Sequence, residues 1–172
     1  MKPYLKFGLI SAVSGIIWTL IMYLTELDKS DYAKPLGWLM LLVYLAFVVL
    51  AIKESRDINK GYISFGAAFK TGFLTIMIGA AIGTLYFYIH VSFVDTNFID
   101  HIIEQTKTEM MKQPNMTEEQ IEQAMKFTAM LMVPGVMAFF GLLMNLIGGL
   151  IGSLIVAAIM KKDPPPEEFV IE

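Results

Sequence analysis

Few residues in this sequence are of a type and spacing that could do chemistry. Lys70 stands immediately before an uncharged run, 71–91, and Arg56 and Lys60 precede it across a short polar stretch. A lysine at the centre of a bilayer costs about 2.5–3.5 kcal/mol. At the end of a span it can instead stretch its ammonium to the interface as an anchor. With Arg56 and Lys60 it could also gather an anion or a lipid headgroup. Glu26 and His90 lie 64 positions apart, an offset that also separates Lys6 from Lys70, Gly8 from Gly72 and Gly15 from Gly79. If the helices that carry them run parallel and touch, a carboxylate meets an imidazole and the pair becomes pH-sensitive. Otherwise they are two polar residues at a water interface. Asn145 is the one amide inside the last apolar run. It can make an interhelical hydrogen bond worth about 0.6–2 kcal/mol, or line a polar path if Thr75, Thr84 or Ser153 joins it at the same depth. Asp100, His101 and Glu104 have helical spacing that a metal could use. The chain has only two histidines and no cysteine, so a solvated acidic face is the reading there. There is no glycine-rich phosphate loop, no Ser-His-Asp set and no carboxylate pair inside an apolar run. The sequence predicts a protein that is not an enzyme, with no catalytic residue, cofactor or metal.

The elements that position these residues announce themselves through glycine. Gly72, Gly79 and Gly83 follow a seven-then-four spacing, repeated by Gly141, Gly148 and Gly152 and by Gly8, Gly15 and Thr19. At 100° per residue each triplet falls on one narrow face. Small residues on a membrane helix let a second backbone come close, where dispersion and weak Cα–H bonds supply the attraction. The spacing predicts that the first, third and fourth apolar helices pack through these faces.

The chain has 172 residues, 56% of them hydrophobic and 17% charged, with a mean hydropathy of +0.61 and a net charge of −3. That is too apolar for a water-soluble domain of this size. The fold class is all-α: one polytopic membrane domain over 1–162 with spans at about 5–24, 36–52, 71–91 and 136–160. A retained first span is preferred to a signal peptide because Thr25-Glu26-Leu27-Asp28 is no small-residue cleavage site. Trp38 and Tyr23 suit an aromatic belt. Lys53–Lys60 reads as a charged connector, Ser64 as an N-cap and Pro134-Gly135 as a kink. Between the third and fourth spans, 95–133 reads as a helical hairpin made acidic by Asp95, Asp100, Glu104, Glu109, Glu118, Glu119 and Glu122. A capping box at Thr117–Gln120 starts its second helix. A Pro/Glu tail, 163–172, cannot continue a helix.

Lysine and arginine number eight at the N-terminus, the middle connector and the tail, against five on the other side. Both termini are therefore expected in the cytoplasm and the acidic hairpin outside. There is no basic stripe for nucleic acid, so the expected partners are the lipid bilayer and either further copies of the chain or another membrane protein.

The segments AIKESR (51–56) and GYISFGAAFKTG (61–72) resemble the signature of a bacterial membrane family designated domain of unknown function 4199, found mainly in Bacteroidota. The four-span layout, long hairpin and Lys-Lys-Pro-rich end are similar too, so the resemblance covers nearly the whole chain. It implies a bacterial inner-membrane location and carries no activity or catalytic residues to transfer. The functional expectation is a non-enzymatic membrane subunit or scaffold. The alternative is a small oligomeric transporter or channel with a polar path near His90 and Asn145.

Overall fold

A computed structural model of the chain describes residues 1–30, 32–114 and 116–165. The four apolar runs form α1 (Pro3–Leu24), α2 (Ala33–Ile58), α3 (Phe65–Ile89) and α6 (Pro134–Met160), with α4 (Phe98–Met111) and α5 (Glu118–Leu131) between the last two. A 3₁₀ turn at Leu27–Lys29 joins α1 to α2, and a π turn at His90–Val94 prolongs α3. Among the described residues, four helical segments are long and apolar enough to cross a membrane: Pro3–Leu24, Ala33–Ile58, Phe65–Val94 and Pro134–Met160.

The ends of these helices follow from local chemistry, and several differ from the expected ones. Pro3 sits in the first turn of α1, where a missing N–H costs nothing. The second span is longer than 36–52 at both ends, with Pro35 inside its first turn. Most of the expected connector is helical because Lys, Glu and Arg favour a helix once an apolar run has nucleated one. The stop comes at Lys60-Gly61. Lys60 has φ 56° and Gly61 φ 86°, and the Gly61 N–H donates to Arg56 O at 2.9 Å, the long bond of a Schellman ending. Ser64 caps α3, its Oγ accepting from the Ala67 N–H at 3.4 Å. From there α3 runs unbroken from Phe65 into the third span, so it starts earlier than the expected residue 71. Pro134 does not kink a helix either: it opens α6 after a two-residue gap, since proline is pre-set for a first turn. The capping box forms at Thr117, which accepts from Gln120 N–H at 3.3 Å while Gln120 Oε1 accepts from Thr117 N–H at 2.9 Å. After Met160 the chain is not helical over 161–165; the rest of the expected tail lies outside the described residues.

The residues group into two compact units, 1–83 with 145–172, and 84–144. In the first, α1 and α2 pair antiparallel, with Lys6 Nζ 2.6 Å from Glu54 Oε2. The chain before α3 meets the chain after α6 in an antiparallel bridge: Ile63 N–H donates to Lys162 O at 2.8 Å and Lys162 N–H to Ile63 O at 2.9 Å. The starts of α1 and α3 and the ends of α2 and α6 therefore share one end of this unit. Its core there is Val48, Ile52, Ile63, Ala68 and Ala157, against which Phe69, Ile76, Val156 and Met160 pack. Outward residues such as Val13, Ile17, Leu42 and Ile159 are more than half exposed, a belt that suits lipid.

In the second unit, Phe87 at the end of α3 meets Phe98 of α4 edge to face, ring centroids 6.1 Å apart. α4 and α5 form a helical pair, and neither contains a buried residue. Between them runs a groove of about 640 Å³ floored by Ile103, Ile121 and Met125 and edged by Lys107, Glu118 and Lys126.

Candidate functional site

In the first unit the small residues are where helices come closest. A Cβ added at Gly8 of α1 would lie 2.8 Å from Ile78 Cβ and 3.0 Å from Thr75 O of α3. A Cβ at Gly79 would lie 2.5 Å from Ser11 Oγ and 3.6 Å from Gly8 O, so α1 and α3 touch backbone to backbone at this pair. Gly72 is where α3 meets two helices at once, with Val48 Cγ1 and Ile52 Cδ1 of α2 at 3.0 and 3.3 Å and Ser153 Cβ of α6 at 3.2 Å from the added atom.

The other glycines divide. Gly15 faces the Tyr44 hydroxyl of α2 rather than α3, and Gly152 meets Leu45 of α2 at 3.4 Å. Thr19 turns its hydroxyl to Gly15 O of its own helix at 3.0 Å. On α6 the tight approach to α3 is made by Gly149, whose added Cβ would fall 2.6 Å from Ile76 Cγ2. A Cβ at Gly83, Gly141 or Gly148 would meet nothing within 4 Å among the described residues.

The buried hydroxyls of this unit are tied to their own helices. Ser11 donates to Gly8 O at 2.8 Å, Thr75 to Thr71 O at 2.8 Å and Ser153 to Gly149 O at 2.5 Å. Each satisfies its donor locally and leaves a nearly apolar surface for the neighbouring helix. Thr75 and Ser153, the expected polar companions of Asn145, are spent in this way. Asn145 itself is exposed.

The cations lie at the shared end of the first unit. Lys70 is exposed in the second turn of α3. By helical geometry it sits about 150° from the face of Ala68, Thr71, Gly72 and Thr75, which are buried. Lys60 is exposed in the left-handed turn and Arg56 is half-buried in the last turn of α2.

Glu26, in the same unit, follows α1 with φ 56° and is exposed. His90 belongs to the second unit, where it is 4% exposed and its Nδ1 lies 3.3 Å from Tyr86 Oη. It opens the π turn, which the Asp95 N–H closes by donating to His90 O at 2.8 Å. Asp95 is 4% exposed, and its Oδ2 and His101 Nε2 are buried without a hydrogen-bond partner among the described residues. The sequence reading placed Asp95 only among the acids of the hairpin. The signal was weak: one carboxylate at the head of Asp95-Thr96-Asn97, in a segment already rich in acids. Among the described residues no group of three or more His, Asp or Glu is placed to hold a metal ion.

Neither a curated protein nor a solved structure matches the chain. A family model does: residues 6–162 match the model described as "Protein of unknown function (DUF4199)", from Lys6 of the Lys6–Glu54 pair to Lys162 of the bridge to Ile63. The match takes in all four membrane-length helices but for the first turn of α1, so the chain belongs to the DUF4199 family.

Proposed function

We propose that this protein is a non-enzymatic subunit or scaffold of a bacterial inner membrane, assembling with further copies of itself or with another membrane protein through glycine faces that its own fold leaves open. Both termini and the α2–α3 turn lie in the cytoplasm, and the α4–α5 hairpin lies outside. The observation that carries the assembly reading is the division of the glycines. Gly8, Gly72, Gly79 and Gly149 are consumed by contacts within the chain, whereas a Cβ added at Gly141 or Gly148 of α6 would meet nothing within 4 Å among the described residues. These two are separated by two helical turns and share a face, with Asn145 within about 60° of both. Helix positions with open space where a side chain would stand are a surface on which a second membrane helix can approach closely. The orientation is supported by the lysines and arginine gathered at the basic end of the first unit. A transport reading draws no support from Thr75 and Ser153, whose hydroxyls are bound to their own helices.

The test replaces Gly141 and Gly148 with leucine and follows assembly in mild detergent by native gel and by cross-linking in membranes. The expected result is loss of the larger species with thermal unfolding of the single chain unchanged. Assembly that survives both leucines would overturn the reading. So would a wild-type chain that runs as a monomer and brings no other membrane protein through purification.

A further inference from the structure

The strongest uncommitted charge on the molecule is at the end of the first unit where α1 and α3 begin and α2 and α6 finish. Lys53, Arg56, Lys60, Lys70, Lys161 and Lys162 gather there from two helices and the two segments that follow α2 and α6, brought together by the Ile63–Lys162 bridge and the antiparallel α1–α2 pair. Five of the six are exposed and Arg56 is half-buried. None makes an ion pair among the described residues. Glu54 is taken by Lys6, which leaves Asp57 and Asp163 as the nearby carboxylates in the described sequence. Lys162 already lies over the Tyr62 ring, 5.4 Å from its centroid.

The depth of these cations is what makes them more than a solvated surface. Lys70 is flanked by apolar helix on both sides and points away from the core. On the same helix Phe65, Phe69 and Phe73 form a stacked ladder with centroid spacings of 6.5 and 5.8 Å. A cation facing outward beside aromatic rings at the end of a membrane-length helix reaches the phosphate layer when its side chain extends. We propose that this end of the molecule is a binding surface for anionic lipid headgroups, with Lys70 and Arg56 as its central contacts. The partner is a phospholipid carrying net negative charge in the leaflet, rather than a soluble anion, because an apolar belt holds the surface at headgroup height. The inference rests on the reading that the apolar helices cross a membrane.

The test uses the full chain reconstituted in nanodiscs of equimolar phosphatidylglycerol and phosphatidylcholine, with the lipids retained on the protein counted by native mass spectrometry. Wild type should be enriched in phosphatidylglycerol. Each cation removed should reduce that preference about fivefold, so Lys70→Gln with Arg56→Gln loses roughly 25-fold at low salt. Lys34→Gln, at the opposite end of α2, should leave it unchanged. The inference is overturned if wild type shows no preference, if Lys34→Gln lowers it as much as Lys70→Gln, or if millimolar inorganic phosphate abolishes it. A chain that reconstitutes but shows no preference fails this inference alone. A chain that stays soluble and monomeric without detergent fails the membrane reading beneath it.

Discussion

Alanine at Gly8 and alanine at Gly37 should move stability in opposite directions, although both sites are helical glycines in the same unit. Gly37, near the start of α2, is open: an added Cβ meets nothing within 4 Å. Alanine there gains helix propensity of up to about 1 kcal/mol. Gly8 gains the same propensity, but its Cβ would lie 2.8 Å from Ile78 Cβ and 3.0 Å from Thr75 O. Neither atom is the far end of a flexible side chain. One is a branch point fixed to the backbone and the other is the backbone, so relief requires α1 and α3 to separate. Overpacking of that kind costs about 1–3 kcal/mol, and separation also loosens the Gly79–Ser11 contact one turn away. The difference between the two variants isolates the clash, because the propensity gain cancels. At about 2–4 °C per kcal/mol for a chain of this length, Gly8→Ala should unfold about 2–12 °C below Gly37→Ala. The assay is thermal unfolding in one neutral detergent at fixed protein concentration, read by intrinsic tryptophan fluorescence. Equal midpoints, or a higher one for Gly8→Ala, would refute the claim that α1 and α3 meet backbone to backbone at Gly8.

Two further outcomes test the helix ends. Lys60 holds φ 56° at the Schellman position, where a side chain costs about 1–2 kcal/mol relative to glycine, so Lys60→Gly should raise the unfolding midpoint in neutral detergent; a lower midpoint would show that the lysine's own contacts outweigh the strain. Thr117→Ala removes the hydroxyl that accepts from Gln120 N–H and should cost about 1 kcal/mol, read as faster amide exchange confined to the first turn of α5.

Uncharged runs of about twenty residues fix where helices cross lipid, because a backbone in hydrocarbon has no partner but itself. That is why four membrane-length helices could be read from the sequence, and why Ser64 and Thr117 could be assigned their caps. The ends of α2 were harder, since charge alone suggests a loop. Lys53–Ile58 instead continues the helix, and the stop is set by Lys60-Gly61. The packing glycine of α6 was ambiguous for a geometric reason. Gly148 and Gly149 are adjacent, both fit a small-residue spacing, and only the position of Ile76 chooses between them. The Ile63–Lys162 bridge left no local trace, because its partners are 99 positions apart and pair through backbone groups that every residue carries. The π turn at His90 is likewise a backbone event, with no side-chain pattern that marks it. Among the candidate site residues, Lys70, Lys60 and Arg56 could be placed at one end because connectivity forces it. Burial of His90 and Asp95 depends on packing that spacing does not encode.

What limits a four-span chain is the number of faces it must cover. On α6, Gly149, Ser153 and Ala157 lie along one side, where Gly149 meets Ile76 and the Ser153 carbon nears Gly72. Gly152 lies at the edge of that side, against Leu45. Gly141 and Gly148 point about 80–100° away from Gly149, and a Cβ at either would meet nothing within 4 Å among the described residues. A glycine facing lipid forgoes dispersion that a leucine would supply and weakens its helix by about 1 kcal/mol relative to alanine. Leaving two such positions open on one face is costly unless another helix closes over them. The same argument applied to Gly8 and Gly79 explains contacts the chain makes with itself. Carried to Gly141 and Gly148, it supports the proposal that a helix from outside this chain closes over that face of α6.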